Sequence, residues 1–201
     1  MPINEFSDKK NIIFLGRFVE RKGAHHLLGA FKALIQKHPE IIPKVRLILC
    51  GDGPDRSMLE SIANKLLAVG ADIEFTGFLP EKDKKNYLAT ADIAVFPSTG
   101  GESFGIVLIE AMAAGSKSVL GGDNPGYATV LGEYSNSLIQ PENYDEFAAR
   151  IYELLNNDLA RSRMHSVQQE CVRRYDINHV GPQIIEYYKQ ALALRKTKQH
   201  N

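Results

Sequence analysis

The sequence predicts an α/β fold: one domain built on a doubly wound parallel sheet. Three observations carry that expectation. Short β-branched, apolar runs alternate with helical stripes over residues 11–195, the order that strand–helix units produce when a parallel sheet is covered on both faces. Glycine closes five strand-like runs in succession, at Gly16, Gly51, Gly77, Gly100-Gly101 and Gly121-Gly122. The 201 residues are 44% hydrophobic and 24% charged, an ordinary globular composition in a chain long enough to bury roughly 68–75% of its unfolded surface.

Each element follows from its local pattern. Residues 11–16 (NIIFLG) read as the first strand. Leu27, Leu28, Phe31, Leu34 and Ile35 then form one stripe at helical spacing, closed by His38-Pro39. Residues 45–51 (VRLILCG) are the second strand; the turn Asp52-Gly53-Pro54 leads into a helix over 56–67. Strands at 73–76 and 93–96 enclose a helix at 82–90, and strands at 118–121 and 137–139 come later. Helical segments at 144–156, 159–175 and 182–194 finish the chain. Residues 1–10 read as a linker or disordered start, and 196–201, with Arg195-Lys196-Thr197-Lys198, as a frayed tail. No internal repeat or low-complexity block is seen.

Composition narrows the function classes. With 24 basic and 24 acidic residues the formal charge is zero, and no basic patch of the nucleic-acid-binding kind stands out. No apolar stretch reaches about 18 residues and no signal peptide is read, so a cytoplasmic chain is expected. Cys50 and Cys171 lie far apart, and Cys50 ends an apolar strand, which favours a buried free thiol over a disulfide. The six histidines show no ligand spacing and no D-x-D pair occurs, so no metal is expected. Gly51-Asp52-Gly53-Pro54-Asp55-Arg56 lacks the third glycine of a dinucleotide fingerprint, and Gly115-Ser116-Lys117-Ser118 ends a helix where a P-loop would begin one. There is no G-x-S-x-G elbow.

In a doubly wound sheet the ligand lies beyond the carboxyl ends of the strands, and the unusual residues fall there. The glycines permit close backbone approach to a ligand; individually they also suit tight strand-to-helix turns. Arg17 and Lys22 follow the first strand. They are either solvated surface cations or an anion site, Arg17 as a planar fork and Lys22 as a point charge. Opposite them, a Gly-rich loop opens a helix near Phe104, whose N-terminus attracts negative charge. Ser103 reads as the N-cap of that helix. The stretch from Ile106 to Gly115 is apolar on every side except at Glu110. An all-round apolar helix is expected to be buried, so Glu110 needs either buried protein donors or a ligand.

Several of these motifs occur together. Gly16-Arg17…Lys22-Gly23, Gly51-Asp52-Gly53-Pro54, Gly77-Phe78, Ala91-Asp92…Pro97-Ser98 and Glu102-x-Phe104-Gly105…Glu110-Ala111-Met112-Ala113-x-Gly115 resemble the donor-binding, C-terminal half of the family 4 retaining glycosyltransferases of the GT-B fold. The full string from Gly100 to Gly115, with Arg173-Arg174-Tyr175-Asp176 downstream, is similar to the phosphatidylinositol mannosyltransferases among them. The resemblance covers residues 10–195. It implies transfer of a hexose, mannose from GDP-mannose, to a lipid or glycan hydroxyl with retention and without a cofactor or metal.

Residue by residue, the resemblance implies Glu102, Arg17 and Lys22 as the catalytic set. Gly16, Arg17 and Lys22 would hold the pyrophosphate; Glu102 the sugar hydroxyls; Ser103, Phe104, Gly105 and Ile106 would close backbone N–H groups on sugar and phosphate. Glu110 would accept from the ribose hydroxyls, and Leu79, Glu81 and Lys84 would line the base site. At about 1.5 Å per helical residue, the two glutamates would stand roughly 12 Å apart. Glu102 also fits a first-turn acid that simply complements the helix dipole.

The sequence departs from the family at Lys117-Ser118, where many members carry proline, at Thr129, near a common glutamate, and at Asn136, near a common glycine. A GT-B enzyme also has a second, N-terminal acceptor domain, which this chain is expected to lack. The fragment alone is therefore expected to bind donor and to transfer little, with contact to the inner face of a membrane only through that other half. The rival expectations are a non-catalytic nucleotide-sugar or protein-binding module, a sugar-nucleotide epimerase and a phosphorylase of the same architecture. Tyr187 and Tyr188 belong to a terminal helix that would pack on the absent domain and is expected to be exposed here.

Overall fold

The computed structural model describes residues 8–133 and 135–198. Strands β1 (Lys10–Leu15), β2 (Val45–Cys50), β3 (Ile73–Gly77), β4 (Ile93–Phe96), β5 (Val119–Gly122) and β6 (Leu138–Ile139) form one sheet. Their order is β3-β2-β1-β4-β5-β6, and every neighbouring pair is parallel. Strand runs that are apolar at consecutive positions belong in such a sheet because both faces are covered. Alternation then divides the strands between two cores. Ile12, Phe14, Leu47, Leu49, Val95 and Leu120 face one; Ile13, Leu15, Ile48, Cys50, Ala94, Phe96 and Val119 face the other.

Helices α1 (Ala24–Lys37), α2 (Arg56–Leu67) and α6 (Tyr144–Asn156) cover the first face. Against the second pack α3 (Glu81–Ala89), α4 (Ile106–Ala114), α5 (Pro125–Leu131) and the end of α7 (Asp158–Arg173). The chain winds outward from β1 to β3, returns, and winds the other way from β4, so the two halves part beyond the carboxyl ends of β1 and β4. Both cysteines are buried, and no disulfide joins them. No helix among the described residues is long and apolar enough to cross a membrane.

Several elements differ from the sequence reading. α5 lies where a glycine turn was expected: the Asn124 side chain accepts from the Tyr127 N–H and Pro125 occupies the first helical position, a cap-plus-proline start that overrides Gly126. α7 ends at Arg173, and a final helix, α8, runs Ile177–Lys198. Pro182 falls inside α8 instead of opening it. Strand β1 includes Lys10, and α8 takes in residues 196–198 of the expected tail; residues 1–7 and 199–201 lie outside the described residues.

Candidate functional site

A crevice beyond the carboxyl ends of β1 and β2, walled on one side by α4, has a cavity of about 470 Å³. Its floor is the ends of β1 and β2, at Leu15, Gly16, Cys50 and Gly51; Phe78, Leu79 and Lys84 form one wall, Val107 and Glu110 the other, with Arg17 and Asp52 beside them. The register between β2 and β3 shifts at Leu49/Cys50, just before the loops that carry Asp52 and Phe78. Burial pushes the Cys50 thiol up to about 12, against a hydrogen bond with Thr76 that acts in the other direction. The thiol therefore stays protonated at neutral pH and offers no nucleophile.

Glu110 corrects an expectation. Ile106, Glu110 and Ala113 stand at positions i, i+4 and i+7 of α4, and all three are exposed, so this apolar helix is not buried on every side. Leu108, Ala111 and Met112 turn to the core. No protein donor hydrogen-bonds the Glu110 carboxylate among the described residues. Partial desolvation in the crevice wall raises its pKa; the charge of Lys84 pulls it down and that of Glu81 pushes it up. Lys84 itself reaches the Glu81 Oε2 at 2.5 Å, and that bond, with the Glu110 charge behind it, raises the lysine's pKa. Charges thus alternate along the wall as Glu81, Lys84, Glu110. Arg17 is exposed, and its side chain makes no hydrogen bond or ion pair among the described residues.

A second cluster sits at the end of β4. Glu102 lies in the loop before α4, its side chain only 13% exposed. The Lys22 Nζ is 2.7 Å and the Arg21 Nη1 3.0 Å from its Oε1, and the Ser98 Oγ lies 2.9 Å from the same oxygen. Lys22 is therefore ion-paired rather than a bare surface cation. The helix starts at Ile106 instead of Phe104 and its cap is Gly105, with no side-chain acceptor; Ser103 is exposed and is not the N-cap. Because Glu102 precedes the helix, the spacing of roughly 12 Å reckoned along a continuous helix does not apply. Phe104 anchors the loop from the other side, edge-on to Tyr175 with ring centroids 5.7 Å apart.

The glycines of this edge serve neighbouring backbone more than was expected. A Cβ at Gly126 would come within 2.0 Å of the Glu102 carbonyl oxygen, and one at Gly23, where φ is 73°, within 2.0 Å of the Pro97 carbonyl oxygen. Bare backbone at these positions lets α5 and the Lys22 turn close against the Glu102 loop. Asn124 fastens the same loop, donating to the Ser98 carbonyl at 3.0 Å.

The fold and this site can be set beside known proteins. The family model described as "Glycosyl transferases group 1" matches residues 2–170. The chain belongs to that family. Phosphatidyl-myo-inositol mannosyltransferase of Mycobacterium tuberculosis is 37% identical over 187 residues, 90% of this chain and 47% of that protein. The 2-deoxystreptamine N-acetyl-D-glucosaminyltransferase of Niallia circulans is 32% identical, over 92% of this chain and 46% of its own length. The group 1 chain thus spans about half the length of these relatives. Among solved structures, HepE (Alr3699) of Anabaena in complex with UDP superposes with a TM-score of 0.76 at 24% identity, over 91% of this chain and 49% of that one, a likeness of fold. The architecture is that of a GT-B glycosyltransferase domain.

Within this group 1 domain the sequence-predicted residues fall in two places. Gly16, Arg17, Leu79, Lys84 and Glu110 line the cavity, with Glu81 bound to Lys84. Lys22 and Glu102 meet in the ion cluster, and Ser103–Ile106 connect the two places along the chain. Sequence reasoning gave no site role to Arg21, Ser98, Asp52 or Phe78, although the last three stood in the motifs that carry the family resemblance. Phe78, at 79% exposure on the cavity wall, carried a signal in its own position, an aromatic directly after the third strand's glycine. Arg21 carried none, because its partner lies about 80 residues away; Ser98 stood in the Pro97-Ser98 motif, but nothing there announced its bond across the loop to Glu102.

Proposed function

We propose that this chain is the donor-binding half of a retaining hexosyltransferase, and that its donor is GDP-mannose. One observation carries the reading: beyond the carboxyl edge of the sheet, a 470 Å³ cavity with Glu110 and Lys84 on its walls and Arg17 beside it is connected along the chain, through residues 103–106, to a cluster in which two cations surround Glu102. Carboxylates flanking cations suit a ligand with hydroxyls at both ends and a diphosphate between them. In this reading Glu110 accepts from the ribose, Leu79, Glu81 and Lys84 border the base, and Glu102 accepts from the transferred sugar.

The chemistry such residues would supply is electrostatic. As the glycosidic bond to phosphate breaks, the departing nucleoside diphosphate gathers negative charge. Arg17, Lys22 and the α4 N-terminus would stabilise that charge as the transition state is approached. Glu102 would hold the sugar while the acceptor hydroxyl attacks the face that the phosphate leaves. Acceptor recognition would lie in the further half that the relatives' length implies, and the 201-residue chain alone should transfer little. The similarity to a mannosyltransferase at 37% identity favours mannose; the N-acetylglucosaminyltransferase at 32% makes UDP-sugars the natural comparison.

Calorimetric titration with GDP-mannose, UDP-glucose and UDP-N-acetylglucosamine tests the reading. GDP-mannose should bind at least tenfold more tightly than the other two. Equal or tighter binding of a UDP-sugar would overturn the donor assignment, and no binding of any of them at millimolar concentration would overturn the donor site itself.

A further inference from the structure

Among the described residues, the three donors that approach Glu102 converge on one oxygen. The Lys22 Nζ at 2.7 Å, the Arg21 Nη1 at 3.0 Å and the Ser98 Oγ at 2.9 Å all approach Oε1. The two cations already match the two lone pairs of that oxygen, and Ser98 adds a third bond there only when its one proton turns from the Arg21 carbonyl. Two cations around one anion also leave the cluster with a surplus positive charge. One donor can therefore depart toward an incoming anion without stranding a mostly buried carboxylate.

The geometry decides which one departs. The carbonyl of Arg21 accepts from the Thr99 N–H at 3.1 Å, and the Ser98 Oγ lies 2.8 Å from it. Arg21 is thus docked by its backbone on the same loop that carries Glu102, and Nη1 also lies 3.5 Å from the Gly101 carbonyl. Its guanidinium presents several donors in a fixed plane and stays charged. Lys22 is a point charge on a flexible stem, has no such tie of its backbone to the loop among the described residues, and follows the strand end that bears Gly16 and Arg17. Ser98 has a single proton for three acceptors, Glu102 Oε1, the Arg21 carbonyl and the Gly100 carbonyl at 3.2 Å, so its bond can shift as the cations rearrange.

We infer that Arg21, assisted by Ser98, is a positioning residue: it keeps Glu102 in place and neutralised, and so frees Lys22 for the donor's diphosphate. The inference rests on the donor-site reading above. Without Arg21, Lys22 is the one cation left to Glu102, and an incoming diphosphate must compete with that carboxylate for it.

The dependence on Glu102 provides the test. Affinity for GDP and for UDP is measured by calorimetry on the 201-residue chain, as wild type, Arg21→Ala, Glu102→Gln and the double variant, with thermal melts to confirm folding. Arg21→Ala should weaken the better-bound nucleotide about three- to fivefold, the size expected of a partly exposed ion pair. The loss should shrink to less than about 1.5-fold when Glu102→Gln has already released Lys22, and Arg21→Lys should restore most of the wild-type affinity. A loss of the same size in both backgrounds would overturn the inference, since Arg21 would then touch phosphate itself or merely support the fold. No loss in the wild-type background would overturn it as well. If wild type binds neither nucleotide, the donor-site reading falls and takes the inference with it.

Discussion

At the residue scale Glu110 shows how position decides cost. Inside a core an unpaired carboxylate would be untenable, but on the crevice wall it keeps water on one side and is only partly desolvated. Its pKa is raised above the ordinary value of 4.5, chiefly by that desolvation. For a carboxyl whose folded pKa lies above its unfolded one, the charged form is disfavoured by folding. Its contribution to stability is present in acid and lost as pH rises through the folded pKa. At neutral pH the ionised Glu110 therefore costs stability. Glu110→Gln should melt at the same temperature as wild type or slightly higher at pH 7.5, with the difference vanishing near pH 4, while nucleotide affinity falls about tenfold. Melts at the two pH values and calorimetry at pH 7.5 check this. A variant that binds nucleotide normally would return Glu110 to a purely structural role.

At the element scale α5 is the support of the site. Asn124 is buried, caps α5 at the Tyr127 N–H, and donates to the Ser98 and Gly122 carbonyls at 3.0 and 3.1 Å. One side chain thereby joins β5, α5 and the loop that leads to Glu102. Asn124→Ala removes the cap and strips the Ser98 carbonyl of a donor in a dry environment, a loss of about 2 kcal/mol. Urea unfolding measures it, and a change under about 0.5 kcal/mol would show that α5 does not depend on this cap. Ser98 sits on both sides of that link, its carbonyl on Asn124 and its hydroxyl 2.9 Å from Glu102, so nucleotide affinity should weaken along with stability.

At the scale of the whole molecule α8 stands apart. Ile184, Ile185, Tyr187, Tyr188 and Leu192 are between 46 and 69% exposed, and neither core contains a residue of that helix. Helices draw most of their stability from packing an apolar face, and the described side chains of this one contribute none to either core. A chain ending at Asp176 should therefore unfold within about 2 °C of the 201-residue chain and remain in solution at higher concentration. Thermal melts and light scattering would show it; a large drop in melting temperature would mean that α8 supports the cores after all.

Much of the fold was legible in the sequence because the relevant physics is local or periodic. Apolar runs of strand length between helical stripes gave six parallel strands, and glycines after them marked the edge where a ligand would lie. The Glu102–Glu110 string pointed to group 1 glycosyl transferases because its residues are contiguous. Contacts between segments far apart in the chain were not legible. Nothing in Arg21-Lys22 announces that both side chains meet Glu102 some 80 residues later, or that Ser98 joins them. α5 was hidden because Gly126 reads as a turn until Asn124 and Pro125 are seen to start a helix. Periodicity also could not reveal that Val107 and Glu110 of α4 border a crevice: an apolar run looks the same in sequence whether it faces a core or a cleft. The sequence by itself determined the architecture and the family; tertiary structure alone decided which charges share an oxygen, because those contacts join segments some 80 residues apart.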